Sequence, residues 1–183
     1  MLNRLNVYYN GWGESWLWGT LISSTATTGR PAIAFEYSPE AIQQGVELSS
    51  YLLPLKGLPF RQGFPTHQMG LPGPVYDALP DGWGMMLMDR YFKKIGLNSA
   101  RIGPLERLTY ISSHAMGALS FEPCVADMQT SENIPLQQLA QEVQDVLKGE
   151  GGEFLQHLLV MGGSPPGARP KALDYRDPVS FEF

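Results

Sequence analysis

The feature that most limits the fold is a set of three runs near the start of the chain, each rich in aromatic and β-branched side chains. Glycine-rich or Ser/Thr-rich turns separate these runs, which are Leu5–Tyr9, Trp16–Ile22 and Pro31–Tyr37. Such side chains fit a pleated, half-buried surface, and short connections favour antiparallel pairing. The pattern therefore predicts a three-stranded antiparallel meander.

Three tryptophans lie in or beside the first two runs at even positions: Trp12, Trp16 and Trp18. Residues of one parity share a face when a chain is extended. The spacing predicts that all three indoles lie on one face of the sheet. A core or groove wall is favoured there over a platform for a ligand.

Proline and capping residues predict where several helices begin. Ser38 and Pro39 favour a short helix that runs to Gln44, because serine caps a helix and proline suits its first turn. The remaining predictions are an extended piece at Glu47–Leu55, a long loop at Lys56–Pro74, helices at Val75–Leu79, Trp83–Ile95, Leu105–Ile111 and from Pro135 to Gly149, and a strand at Gly117–Phe121. The last helix would bury Leu136, Leu139, Val143, Val146 and Leu147. The predicted class is α+β, a small antiparallel sheet packed with several short helices.

A loop rich in glycine and proline lies near the end of the chain, at Gly162–Lys171. Proline lacks a backbone donor and glycine costs backbone entropy in a helix, so the run is a loop. Successive backbone N–H groups in such a turn form a concave anion site, and Arg169 and Lys171 add positive charge. Most loops of this composition only turn the chain. The run also lacks the Gly-Lys-Ser/Thr ending of a P-loop.

Three motifs in order resemble HipA-like serine/threonine kinases, the toxin halves of bacterial toxin–antitoxin pairs. The first is Asp77–Arg90, where Leu-Pro-Asp-Gly begins a helix; the second is Gly117–Pro123; the third is the glycine-rich loop. The resemblance implies a HipA N-terminal-like domain over residues 1–125. Residues 126–183 would hold linker helices, the loop and the first strand of a kinase-like small lobe.

The same resemblance implies roles for the loop. Ser164 matches the serine that the family autophosphorylates, while Gly167 and Ala168 match backbone that faces the phosphates. The full predicted phosphate loop is Gly162, Gly163, Ser164, Gly167, Ala168, Arg169 and Lys171. ATP and Mg²⁺ are the cofactors of the intact family, and a HipB-like helix-turn-helix antitoxin is the implied partner. An exposed loop serine without a role remains the alternative for Ser164.

The sequence departs from the family after the loop. A HipA-like kinase needs a lysine on the next strand, a catalytic Asp and Asn, and a metal-binding Asp, which position ATP, magnesium and the acceptor hydroxyl. We find no match for these residues, and Glu182 stands near the expected lysine. No catalytic residue is therefore assigned, and the chain alone is predicted to be inactive and to bind ATP poorly. Two alternatives stay open: a free-standing subunit that inhibits a separate kinase polypeptide, and a truncated product.

Composition excludes other classes of protein. The net charge of −5 argues against direct binding to nucleic acid, so DNA would be reached only through the antitoxin. The longest apolar runs are too short for a membrane helix, and the single cysteine, Cys124, suits a reducing compartment, so a cytoplasmic location without membrane contact is predicted. Cys124 is expected to be buried. His67, His114 and His157 lack metal-ligand spacing, and no metal site is predicted.

Overall fold

A computed structural model describes residues 2–25, 31–55, 60–112, 115, 117–125, 136–149, 155, 158 and 159. The chain forms two units. The first comprises residues 1–79 and 98–129, and the second comprises residues 80–97 and 130–183.

The first unit is built on a five-stranded antiparallel sheet. Its strands are β1 (Arg4–Gly11), β2 (Glu14–Thr25), β3 (Pro31–Tyr37), β4 (Phe60–Gln62) and β5 (Leu119–Glu122), in the order β4-β3-β2-β1-β5. The predicted meander is confirmed as β1, β2 and β3, and β5 confirms the strand predicted from Gly117. The α+β class is likewise confirmed. Its predicted end, the glycine-rich loop and the strand after it, lies outside the described residues.

An irregularity in β2 sets which side chains form the core. Val7 pairs with Gly19 whereas Tyr8 pairs with Leu17, so Trp18 is an extra residue on β2. A β-bulge of this kind lets two successive residues occupy one side of a sheet and shifts the alternation beyond it. Leu21 consequently faces the core. Without the bulge, the two residues on either side of Leu21 would face the core in its place.

The core face carries large aromatic and aliphatic side chains. Trp18 packs against Phe35 and Tyr37, with ring centroids 4.7 Å and 5.5 Å away. The hydroxyl of Tyr37 donates a hydrogen bond to the carbonyl oxygen of Leu53, which ties the chain after β3 to this cluster. The other buried core residues of the sheet include Leu5, Val7, Tyr9, Trp16, Leu21, Ile33, Leu119 and Phe121.

Three helices belong to the first unit: α1 (Pro39–Gln44), α2 (Gly73–Tyr76) and α4 (Pro104–Ile111). Ser38 caps α1 as predicted, because its hydroxyl accepts the N–H of Ala41 at 2.9 Å. The same hydroxyl donates to the carbonyl oxygen of Leu17, which fastens the helix to β2. α1 contacts β2 and α4 contacts β5.

Four expectations for the first unit were wrong. Glu47–Leu55 is not a strand but a set of turns with one isolated bridge between Ser49 and Leu53. The long loop predicted from Lys56 contains β4, a 3₁₀ turn at Thr66–Gln68 and the start of α2. Trp12 lies in the β1–β2 turn rather than in a strand, and is exposed. Cys124 is exposed as well, because it follows the end of β5.

The second unit contains α3 (Gly82–Lys94) and α5 (Leu136–Lys148), so the two helices predicted there are confirmed. The buried side chains of α3 are Trp83, Leu87, Met88 and Phe92. Arg90 of α3 donates a hydrogen bond to the carbonyl oxygen of Val146 in the last turn of α5. The predicted apolar face of α5 was wrong at Leu147, which is half-exposed, whereas Glu142 is buried.

Candidate functional site

The predicted phosphate loop lies outside the described residues. This holds for Gly162, Gly163, Ser164, Gly167, Ala168, Arg169 and Lys171, whose roles stay predictions. The run leading to the loop is described at Leu155, Leu158 and Leu159, which are helical and buried in the second unit. Their i, i+3, i+4 spacing places them on one helical face. These three residues of the apolar lead-in are thus buried on a shared face.

The Leu-Pro-Asp-Gly turn carries a helix cap. Asp81 is the N-cap of α3, and its Oδ1 atom accepts the N–H groups of Trp83 at 3.1 Å and Gly84 at 3.3 Å. These two N–H groups lie in the first turn and have no carbonyl partner within the helix. The motif therefore has a structural role at the start of α3.

Replacing Asp81 by alanine is expected to lower the free energy of unfolding by about 1 kcal/mol, because the first-turn N–H groups lose their acceptor. Asp81→Asn keeps a side-chain oxygen at the same place and is expected to recover most of the loss. Urea denaturation of both variants followed by far-UV circular dichroism measures the difference. Equal destabilisation by alanine and asparagine would show that the carboxylate acts through something other than the cap.

A cavity of about 200 Å³ lies within the first unit. Apolar side chains form most of its wall, and Glu106 lines it as well; the apolar set is Leu2, Ile33, Met69, Ala100, Ile102, Pro104 and Leu105. Oε1 of Glu106 accepts the backbone N–H of Leu2 at 2.9 Å. A side chain at Gly103 would place its Cβ atom 2.7 Å from Oε2 of Glu106, so the carboxylate would have to shift to make room for it.

Polar side chains also line the cavity, namely Ser23, Arg101 and Glu106. Met69 in its wall has a φ of 55°, a left-handed conformation that a non-glycine residue adopts at a cost. Sequence reasoning did not find this cavity, because its lining comes from five separate stretches of chain that only the fold brings together.

A hydrogen-bonded polar network crosses the outer side of strands β2, β1 and β5. Oγ of Ser15 donates to Oδ1 of Asn10 at 2.7 Å, and Nδ2 of Asn10 donates to Oγ of Ser120 at 2.8 Å. Burial raises the pKa of Tyr8 above its ordinary value, and the negative charge of Glu122 and the hydrogen bond between the two side chains raise the pKa further.

Within the described ranges, no group of three or more histidine, cysteine, aspartate or glutamate side chains could hold a metal ion. Of the three histidines considered as metal ligands, His67 is exposed, while His114 and His157 lie outside the described residues. Among the helices that the structure describes, none is long and apolar enough to cross a membrane.

Comparison with models of protein families identifies the family of this chain. The model of the HipA N-terminal domain matches residues 13–122, which is more than half of the sequence. The chain belongs to the HipA N-terminal domain family. A search of the curated proteins found no match.

The HipA N-terminal domain match covers β2 to β5, the four helices α1 to α4 and the whole Leu-Pro-Asp-Gly turn. It confirms the family named from the motifs at Asp77–Arg90 and Gly117–Pro123. β1 lies before the matched range but pairs with both β2 and β5, so it completes the sheet of this domain. The glycine-rich loop lies after the matched range.

Proposed function

We propose that this chain acts as the N-terminal part of a HipA-like toxin kinase in a bacterial type II toxin–antitoxin system, in the cytoplasm. The observation that carries the proposal is the HipA N-terminal domain match over residues 13–122, followed along the chain by a glycine-rich run with two cations. The intact kinase would transfer the γ-phosphoryl group of ATP to a protein serine or threonine. Residues 1–183 alone would not catalyse this transfer.

The glycine-rich run suits the phosphates of ATP better than it suits magnesium. Its glycine backbone leaves N–H groups accessible to phosphate oxygens, and Arg169 and Lys171 add two positive charges. It contains no carboxylate, whereas Mg²⁺ requires oxygen ligands and is usually held through one or two carboxylates. When bound, ATP supplies the phosphoryl group. This chain would contribute phosphate binding and orientation, and the metal ligands and catalytic base would be separate residues.

Ser164 lies within the proposed phosphate site and is a candidate for autophosphorylation. A phosphoserine carries close to two negative charges at neutral pH. Inside an anion site, that charge would repel the phosphates of ATP and displace the loop. Phosphorylation of Ser164 would therefore switch nucleotide binding off. The proposed partner is a helix-turn-helix antitoxin, which would bring the complex to DNA.

A second candidate function is a free-standing subunit that inhibits a separate kinase polypeptide. It is favoured by the first unit, which has a core of its own built from the five-stranded sheet and its helices. A module with its own core can dock on another protein without a covalent connection to it. In the first candidate the catalytic residues belong to the same polypeptide as this chain. In the second they belong to a separate kinase polypeptide.

Two measurements test the proposed function. The first incubates the 183-residue chain with Mg²⁺ and γ-labelled ATP, with Ser164→Ala as the matched control. We expect no incorporation of label in either protein. Label that depends on Ser164 would overturn the claim that residues 1–183 are inactive alone.

The second measurement tags the protein in its native operon and takes intact masses of everything that co-purifies. Recovery of a small helix-turn-helix protein, with the tag on a longer kinase polypeptide, is the expected result. Recovery with a separate complete kinase would favour the inhibitor subunit. Recovery alone, as 183 residues, would contradict both candidates.

A further inference from the structure

The β1–β2 turn is held in a conformation that does not suit its first residue. β1 ends at Gly11 and β2 begins at Glu14, so Trp12 and Gly13 form a two-residue connection, with φ values of 51° and 83°. Positive φ at both positions is the pattern of a type I′ turn, which strongly prefers asparagine, aspartate or glycine first and glycine second. Tryptophan at the first position opposes folding of the hairpin. Backbone strain of this kind is typical of positions retained for function.

The indole of Trp12 is also left in solvent. Its side chain is 89% exposed, whereas Trp16 and Trp18 are buried. Exposure of so large an apolar surface gives the fold little hydrophobic stabilisation. Folding therefore explains neither the conformation nor the exposure of this residue.

A row of aromatic rings supports the exposed indole from one side. The ring of Tyr9 lies 5.9 Å from Trp12 and 5.1 Å from Trp16, measured between centroids. Tyr9 is itself buried, and its ring lies over Gly11, where an added Cβ atom would lie 2.5 Å from the Tyr9 hydroxyl oxygen. The ring of Tyr9 is tilted by 45° to the indole, and most of the Trp12 side chain stays accessible. Contact with Tyr9 on one side restricts the indole, so less side-chain freedom is lost on binding than for an isolated ring.

The surroundings of Trp12 favour a positively charged ligand group. Glu14 is exposed two residues further along and opposite Gly11, and Asn10 and Ser15 beside it are linked by a hydrogen bond of 2.7 Å. Arg4, the basic residue of β1, lies at the end of that strand away from the turn. An aromatic face attracts cations, and a neighbouring carboxylate strengthens that attraction while repelling phosphates. Nucleic acid is therefore disfavoured and an arginine or lysine side chain is favoured.

We propose that Trp12 anchors a protein partner by stacking on an arginine or lysine side chain, with Glu14 pairing to the same cation. This role goes beyond the proposed kinase context and does not depend on it, because it is argued from the residues of the β1–β2 turn and its neighbours alone. The partner segment would carry a basic residue among small ones, so that the cation can reach the ring above the turn.

The test titrates the ¹⁵N-labelled 183-residue chain with the peptide acetyl-Gly-Arg-Gly-Arg-Gly-amide and follows the indole N–H signals. A second peptide replaces both arginines by citrulline, which keeps the shape and removes the charge. We expect the Trp12 signal to shift with the arginine peptide and the Trp83 signal to stay in place. The citrulline peptide should bind about fivefold more weakly, as the loss of a solvent-exposed cation–π contact implies.

Three variants complete the test. Trp12→Asn should weaken binding of the arginine peptide about fivefold. It should also raise the Tm by about 3 °C, because asparagine followed by glycine suits the turn. Glu14→Gln should weaken binding less, and Tyr51→Ala should leave it unchanged, because Tyr51 is an aromatic residue of similar exposure, 91%, elsewhere in the unit.

Several results would overturn the proposal. Unchanged binding by Trp12→Asn, or equal binding of the two peptides, would show that no cation stacks on the indole. A lower Tm for Trp12→Asn would show that the fold requires the tryptophan. Self-association of the native chain that Trp12→Asn abolishes, without an effect of the peptide, would identify a second copy of this chain as the partner instead.

Discussion

Replacement of Trp18 by alanine is expected to lower the free energy of unfolding of the first unit by about 3–5 kcal/mol. Trp18 is fully buried at the bulge of β2 and contacts the rings of Phe35 and Tyr37. Its removal leaves a cavity that the surrounding strands cannot close, because their hydrogen bonds fix the spacing. A domain is typically stable by only about 5–15 kcal/mol, so the variant would be close to unfolded at 37 °C. Urea denaturation followed by far-UV circular dichroism measures the change.

Two control variants separate burial from the loss of an aromatic ring as such. Tyr51→Ala removes an exposed ring and should change the free energy of unfolding by no more than about 0.5 kcal/mol. Trp18→Phe should cost less than half as much as Trp18→Ala, because it keeps a ring and removes an indole N–H that has no partner among the described residues. Equal losses for Trp18→Phe and Trp18→Ala would contradict this account.

Local sequence signals predicted most of the regular elements. Ser38 and Pro39 marked the start of α1, Pro104 marked the start of α4, and aromatic runs marked the first three strands. Each of these signals acts within one turn or one strand, through a cap, a fixed φ or an alternating burial pattern. Their effect does not depend on the rest of the chain, so the sequence alone was enough.

The errors arose where tertiary structure decides. The bulge at Trp18 depends on how β2 pairs with β1, and it shifts the alternation that parity assumes. Trp12 shares a parity with Trp16 and Trp18, yet it lies in the turn, where parity has no meaning. In α5, burial of Glu142 and exposure of Leu147 follow from what surrounds the helix rather than from its own period.

The candidate sites show the same division. The glycine-rich loop was found because its chemistry lies within ten consecutive residues, and its role stays a prediction. The cavity beside Glu106 could not be found in this way, since the N–H of Leu2 and the carboxylate of Glu106 are 104 positions apart in sequence. Trp12 drew attention in the sequence only through its shared parity with Trp16 and Trp18, and the proposed anchor did not follow from that. Its significance required the two positive φ values and the exposure of the ring.

Replacement of Gly19 by alanine is expected to lower the free energy of unfolding by about 2–3 kcal/mol, because an added methyl group overfills the core. A Cβ atom at this position would lie 2.5 Å from the carbonyl oxygen of Glu36 and against the ring of Phe35. The φ of Gly19 is not in the positive range, so the cost is steric rather than conformational. The bulge is the cause: it brings Trp18 and Gly19 to one side of β2, where the ring of Phe35 and the carbonyl of Glu36 already fill the space beside Gly19. Urea denaturation measures the loss.

Gly82→Ala is the matched control, because nothing lies within 4 Å of an added Cβ atom there and its φ is not positive. At the start of α3, alanine should be neutral or stabilise by up to about 1 kcal/mol. A double-mutant cycle with Phe35→Leu then locates the clash. Shortening the ring should relieve part of the cost, so that the two changes together destabilise less than the sum of the single changes. Additive losses, within about 0.5 kcal/mol, would place the strain at the Glu36 carbonyl alone and remove Phe35 from the explanation.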